Sequence, residues 1–170
     1  MPPDVFLADI INPGLLHVEA VGGPKPSNDA RRLLLAIAMQ ESGPGLNARY
    51  QNSPSTSPGP ARGWWQFEQG GGVVGVLSHA ASSNFAAATC ARLSVVAQPA
   101  AVWRAIEGND ALSCSFARLL MWTDPPALPN TEGPAWDFYM RLWRPGKPHR
   151  EVWQGNWQTA DATVSGSLTA

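Results

Sequence analysis

From residue 83 onward, the chain is a succession of short helical patterns separated by proline and glycine. Each of four segments has a start signal, apolar residues three or four positions apart and a Pro or Gly stop: SSNFAAATCARLSVV, PAAVWRAIEG, NDALSCSFARLLMWTD and EGPAWDFYMRLWRPG. A further pattern, KPHREVWQGNWQTA, is compatible with a last helix. This succession predicts a mainly α-helical protein. The length of 170 residues suits one domain with a single packed core.

The clearest single helix lies upstream, in SNDARRLLLAIAMQES. It begins with good N-cap chemistry at Ser27, and apolar residues recur at positions 30, 33, 34, 37 and 38. The sequence Gly43-Pro44-Gly45 ends it. Glu41 therefore stands in the last turn of this helix, on the stripe that faces the core.

The remaining segments divide the chain around this helical domain. Residues 1–26 are rich in Pro and Gly and predict an irregular segment packed on the core. Residues 27–160 form the main domain, and residues 161–170 a polar C-terminal tail with little to bury. Within the main domain we expect a long loop over 47–63 and a small irregular or β-hairpin wing near residues 60–70.

Composition excludes several classes of protein. With 44% hydrophobic and 15% charged residues, the chain is a globular protein and not a disordered polyelectrolyte. A net charge of −1 gives no reason to expect binding to nucleic acid. Charged residues, Pro and Gly interrupt the apolar N-terminus, so we expect neither a signal peptide nor membrane insertion.

The cysteines and histidines give no sign of a metal site. Cys90 and Cys114 have no metal-like spacing and are most simply reduced core residues, and the three histidines are scattered. We therefore expect no metal and no organic cofactor.

Glu41 is an unusual choice for its position. Partial burial disfavours its ionised form, and so does the partial negative charge at the C-terminal end of a helix, and both effects raise its pKa. A carboxylic acid that stays protonated near neutral pH can serve as a general acid. The alternative is a structural role, in which Glu41 caps a buried backbone group or pairs with Arg49 or Arg62.

Three short elements resemble the lysozyme-like superfamily, within it the soluble lytic transglycosylases and goose-type lysozymes. Glu41-Ser42 matches the helix that ends in Glu-Ser, and ARGWWQ, residues 61–66, matches the Gly-x-x-Gln turn of that family. AWDFYMRLWRPG loosely matches the third element, with Tyr139 as its tyrosine. Residues 28–158 also resemble small phage-encoded lysozyme-like proteins, through ARGWWQFEQGGGV, RLLMWTDPPALP and LWRPGKPHREVW.

This resemblance implies cleavage of the β-1,4 bond between N-acetylmuramic acid and N-acetylglucosamine in peptidoglycan, with Glu41 as the general acid. It places the substrate contacts at Ser42, Gly63, Trp64, Trp65, Gln66 and Tyr139. Gln66 would hold the acetamido and hydroxyl groups of a sugar, or else anchor the loop as a buried amide. Of the two tryptophans, we expect one in the core and one offering a flat face to a pyranose ring.

The choice between hydrolase and transglycosylase depends on a second carboxylate. Glycosidases usually carry two, whereas lytic transglycosylases manage with one because the 6-hydroxyl of the muramic acid closes on the anomeric carbon. Glu68 is the candidate, and the alternative for it is a salt bridge with Arg49 or Arg62. The one basic cluster, RPGKPHR at 144–150, is by default a solvated loop, with contact to an acidic glycan or a partner as the alternative.

The resemblance to phage proteins implies a location and further partners. Such a protein stays in the host cytoplasm before release or travels in the virion, contacts virion proteins, and acts in the periplasm or cell wall. Two rival functions stay open: a non-catalytic lysozyme-like protein that binds the cell wall or belongs to the virion, and a related glycosidase that acts on chitin.

Overall fold

The computed structural model describes residues 1–43, 45–49 and 59–167. Most of the loop predicted over 47–63 and the end of the predicted C-terminal tail lie outside these residues. The helices are α1 (Pro3–Phe6), α2 (Asn12–Ala20), α3 (Asn28–Ser42), α4 (Val74–Ser78), α5 (Ser83–Arg92), α6 (Pro99–Ile106), α7 (Asp110–Trp122), α8 (Glu132–Trp143) and α9 (Arg150–Gly166), with π-helical turns at Leu7–Ile11 and Gln69–Val73. Strands β1 (Ala61–Arg62) and β2 (Phe67–Glu68) pair antiparallel. The prediction of a mainly α-helical fold with a small wing near residues 60–70 is confirmed.

Helix α3 runs through the centre of the core. Its N-terminus is capped as predicted, since Ser27 Oγ accepts a hydrogen bond from the Ala30 N–H at 3.1 Å. It ends at Gly43, whose φ of 85° suits glycine. Residues 33–39 are all buried, at 1% exposure or less, so the middle of this helix is enclosed on every side and not along a single stripe. Helix α9 packs along it.

The N-terminal segment packs on the core as expected, but it is helical and not irregular. Residues 3–20 form α1, the π-helical turn and α2 without a break. Pro13 and Gly14, which predicted irregular structure, are accommodated in two ways. The wider π-helical turn ends at Ile11, two residues before Pro13, whose missing N–H disturbs the α-helical pattern. Gly14 lets α2 approach α7 so closely that a Cβ there would lie 2.4 Å from Cys114 Cβ.

The C-terminal region also differs from the expected polar tail. Helix α9 continues to Gly166, and Ala160 and Val164 on its inner face are fully buried. The apolar pattern of this segment is weak because most of its residues are polar. Packing against α3 therefore determines that it is helical. Among the described helices, none is both long and apolar enough to cross a membrane.

The wing is a hairpin of two short strands joined by residues 63–66. Ala61 pairs with Glu68 and Arg62 with Phe67. Within the turn, Gly63 and Gln66 both have positive φ, at 72° and 51°, and the Gln66 N–H donates to the Gly63 carbonyl at 3.1 Å. A Cβ at residue 63 would lie 2.5 Å from atoms of Ile106 and Ser113, so the turn is pressed against α6 and α7 through its glycine.

Candidate active site

A groove of about 720 Å³ opens between the C-terminal end of α3, the wing, and the segment that runs from the end of α8 to residue 149. Five of the residues predicted for the site line it: Glu41, Trp65, Gln66, Glu68 and Tyr139. These side chains come from three parts of the chain. The fold therefore brings the three sequence elements together in one cavity.

Glu41 lies in the wall of this groove, partly buried, one residue before the end of α3. Its Oε1 accepts a hydrogen bond of 2.6 Å from the Tyr139 hydroxyl. Burial raises the pKa of Glu41 to about 7, against the smaller opposing effect of that hydrogen bond, which favours the charged form. Glu41 is thus a carboxylic acid that changes its protonation state near neutral pH.

Tyr139 is held in place by a cluster of aromatic rings. Its ring stacks on Trp153, with centroids 5.3 Å apart and planes 14° from parallel, and it also contacts Trp136 and Trp143. Burial and the neighbouring Glu41 both raise the pKa of the Tyr139 hydroxyl, so it remains a hydrogen-bond donor. The cluster fixes the direction from which Glu41 is hydrogen-bonded.

Neither Glu41 nor Glu68 forms the ion pair with Arg49 or Arg62 that was the structural alternative for each of them. Arg49 pairs with Asp110 at 2.8 Å, and Arg62 pairs with Glu107 at 2.8 Å. Neither glutamate forms a salt bridge with any residue that the structure describes. Glu68 is exposed at the rim of the groove. The two glutamates therefore line one cavity, and neither carboxylate is paired with a cation in the part of the chain that the structure describes.

Gln66 anchors the turn and also lies in the groove lining. Its Nε2 donates to the Gly63 carbonyl at 2.9 Å and so braces the turn, while the residue also lines the groove. A residue other than glycine with φ of 51° carries a conformational cost on the order of 1 kcal/mol. The Oε1 of its amide has no hydrogen-bond partner among the described residues, which leaves one acceptor for a ligand in the groove.

The two tryptophans of the turn both belong to the core, which corrects the expectation of one in each environment. Trp64 is 5% exposed and donates to Asp110 at 2.9 Å, away from the groove. Trp65 is fully buried and donates to the Leu34 carbonyl, so it borders the groove without an exposed ring face. The partly exposed aromatic ring in the groove is that of Trp143, whose Nε1 donates to the Trp65 carbonyl at 3.0 Å.

Two further predicted contacts, Ser42 and Gly63, do not line the groove. Ser42 is buried, and its hydroxyl donates back to the Ala38 carbonyl at 2.6 Å. Gly63 donates its N–H to the Arg49 carbonyl at 2.6 Å and packs against α6 and α7. Both residues shape the elements that carry Glu41 and Gln66 and lie behind the cavity surface.

The segment after α8, for which a solvated loop was the default prediction, contributes residues to the groove. Lys147 and His149 both line the cavity, as do Pro145 and Gly146. The signal for them was the basic cluster at 144–150, for which contact with a ligand was the alternative. Trp143 was missed because Trp64 and Trp65, beside the Gly-x-x-Gln turn, were the more obvious aromatic candidates.

Other parts of the molecule offer less chemistry. A hollow of about 460 Å³ between the N-terminal helices and α9 has Asp4 as the one titratable residue of its described lining. Over residues 1–43, 45–49 and 59–167, no group of three or more His, Cys, Asp or Glu is placed to hold a metal ion. Cys90 and Cys114 are both free and buried, as predicted. The groove at Glu41 is therefore the candidate active site.

The Tyr139 hydrogen bond should be measurable through the titration of Glu41. We expect Tyr139→Phe to raise the pKa of Glu41 further, because it removes a donor to the charged form while the ring keeps its stacking on Trp153. Carbon-13 NMR of the Glu41 carboxyl as a function of pH measures this shift. Ser78→Ala is the control, since it also removes a hydroxyl group, one that donates to the Val74 carbonyl outside the groove lining. An unchanged or lowered pKa in Tyr139→Phe would contradict the role given to this hydroxyl.

Comparison with known proteins gave no match: no protein-family model, no curated protein and no solved structure is matched by this chain.

Proposed function

We propose that this protein cleaves the glycan strands of peptidoglycan, with Glu41 as the general acid. The observation that carries the proposal is the Glu41 carboxyl in the groove wall, with a pKa of about 7 and a 2.6 Å hydrogen bond from Tyr139. A group with this pKa is protonated in a substantial fraction of molecules at neutral pH, as a general acid must be. The resemblance of Glu41-Ser42, the 61–66 turn and Tyr139 to the lysozyme-like superfamily supplies the substrate class.

In the proposed reaction, Glu41 donates its proton to the glycosidic oxygen between N-acetylmuramic acid and N-acetylglucosamine. The bond from that oxygen to the anomeric carbon breaks as the sugar acquires oxocarbenium character. Glu41 is left as a carboxylate, which Tyr139 stabilises through its hydrogen bond. The Tyr139 hydrogen bond thus stabilises the ionised form of Glu41 that remains after proton transfer. Burial favours the protonated form that exists before it.

The neighbouring groove residues have chemistry that suits a sugar strand. The free Oε1 of Gln66 can accept a hydrogen bond from an acetamido N–H or a hydroxyl group. The partly exposed Trp143 ring can pack on the apolar face of a pyranose, in place of the buried Trp64 and Trp65. Polar groups and one aromatic surface in a groove are the usual components of a saccharide site.

Glu68 determines which products are expected. If its carboxylate activates water or attacks the anomeric carbon, the products carry reducing ends, whereas closure by the muramic acid 6-hydroxyl gives 1,6-anhydro ends. Mass spectrometry of the released fragments separates the two. The resemblance to small phage-encoded proteins further supports a phage role for this activity, at entry from the virion or at release from the host.

The direct test is the release of soluble fragments from purified murein by the wild-type protein, over a pH range that spans the Glu41 pKa. We expect release that is greatest below that pKa and declines as Glu41 loses its proton. Chitin oligomers serve as the parallel substrate, and equal turnover of both would favour a chitin-directed glycosidase. Absence of release at every pH would overturn the proposal and leave a non-catalytic protein that binds the cell wall.

A further inference from the structure

Lys147 is a cation in the groove lining that has no carboxylate partner within the described part of the chain. It is exposed, lines the cavity that contains Glu41, and forms no ion pair with any residue that the structure describes. Besides Glu41, the described lining of the cavity has one carboxylate, that of Glu68 on the wing, and it forms no ion pair with Lys147. The positive charge of Lys147 therefore belongs to the groove lining and is not neutralised by an ion pair with any described residue.

The segment that carries Lys147 is fixed relative to Glu41. Arg144 at the end of α8 adopts a left-handed conformation, with φ of 50°, which turns the chain sharply. At the other end of the segment, the His149 carbonyl accepts a hydrogen bond of 3.0 Å from Nε2 of Gln40, the residue directly before Glu41. Asn156 on α9 in turn donates to Gln40 Oε1 at 2.9 Å. Lys147 is thus held beside the groove by α3 and α9 together.

A lysine in this position is suited to an anionic substituent on the bound strand. Its ammonium group is a compact charge on a flexible stem, which can follow a carboxylate whose position varies from one sugar unit to the next. Chitin carries no carboxylate. Murein carries one on the lactyl ether of each muramic acid when the peptide has been removed, and carries others on the peptide stem when it is present.

We infer that Lys147 recognises a carboxylate borne by the muramic acid units of the glycan strand and thereby selects anionic glycan over neutral glycan. This inference rests on the proposed function for its substrate class. The lactyl group and the peptide stem are two sources of the same chemistry, and the experiment distinguishes them.

The experiment measures binding, so that it does not depend on cleavage. Affinity is measured by calorimetry in a Glu41→Gln background for three soluble tetrasaccharides: one with free lactyl carboxylates, one with the same carboxylates converted to methylamides, and one that carries peptide stems. The parent is expected to prefer the carboxylate forms over the methylamide. Lys147→Gln should lower that preference about threefold, as expected for one solvent-exposed charge pair, and Lys147→Arg should retain it.

The chain offers a matched control. Lys25 is the only other lysine in the sequence; it is exposed and lies outside the groove lining. Lys25→Gln removes the same charge and should keep the preference of the parent. High salt should reduce the preference of the parent and of Lys25→Gln alike, because exposed charge pairs are screened.

The outcomes separate the two proposals. If Lys147→Gln loses only the preference for the form with free lactyl carboxylates, Lys147 recognises the lactyl carboxylate. If it loses only the preference for the form with peptide stems, Lys147 recognises a carboxylate of the peptide. A Lys147→Gln protein with the parent's preference, or a parent with none, overturns the inference about Lys147 whether or not murein is cleaved. Preference that depends on Lys147 in a protein whose wild type never cleaves murein overturns the proposed function and leaves the Lys147 site in place.

Discussion

Replacing Glu41 with glutamine is expected to reduce the rate of murein cleavage by about 10²- to 10⁴-fold. Glutamine has nearly the same shape as a protonated glutamic acid and keeps an oxygen that can accept the Tyr139 hydrogen bond. It has no acidic proton to give to the glycosidic oxygen. The variant should therefore bind the glycan strand in a groove of unchanged shape and fail at the step of bond cleavage.

The measurement is the initial rate of fragment release from purified murein, at a pH below the Glu41 pKa where the wild type is mostly protonated. Glu19→Gln is the matched control, because Glu19 on α2 lies outside the groove lining and should retain the wild-type rate. Binding to murein confirms that the groove is intact in Glu41→Gln. A variant that keeps more than about a tenth of the wild-type rate would contradict a general-acid role.

The helices that could be predicted from the sequence are those whose ends carry local signals. Ser27 and Gly43 bound α3 because a side-chain cap and a positive φ are properties of a few adjacent residues. The N-terminal helix was missed for the opposite reason. Pro13 and Gly14 break an isolated helix, and the structure tolerates them through a π-helical turn and a close approach to α7. Both compensations depend on packing and leave no local pattern.

In the candidate site, too, local sequence signals indicate some residues, whereas the contacts between them depend on the fold. Glu41 could be found from the sequence because its helical position and its resemblance to a known motif are both local, and Tyr139 was found from the motif alone. That these two residues, 98 positions apart, are hydrogen-bonded is a result of the fold. The burial of Trp64 and Trp65 depends on which side of the turn faces α3 and α7, and spacing does not determine this. The position of Lys147 depends on the bond between Gln40 and the His149 carbonyl, which no sequence pattern indicates.

Glu41→Gln is also expected to stabilise the protein near and above neutral pH, and this effect does not depend on any catalytic role. The pKa of Glu41 rises from 4.5 to about 7 in the folded state. Between these two values the folded protein binds a proton that the unfolded chain does not, so the free energy of unfolding falls as the pH rises. At 1.36 kcal/mol per pKa unit, ionisation of Glu41 costs about 3 kcal/mol of stability by the time the pH exceeds the folded pKa. Glutamine does not ionise and carries no such cost.

The measurement is the free energy of unfolding by denaturant, for both proteins, at a series of pH values from below 4.5 to above the folded pKa of about 7. The Tyr139 hydroxyl, the pKa of which Glu41 raises, stays protonated in both proteins over this pH range, so the difference between the two proteins isolates the Glu41 carboxyl. That difference should increase by about 3 kcal/mol across the interval and become constant above it. A difference that stays flat with pH would mean that Glu41 is ionised at little cost in the folded protein and is not a protonated acid near neutral pH.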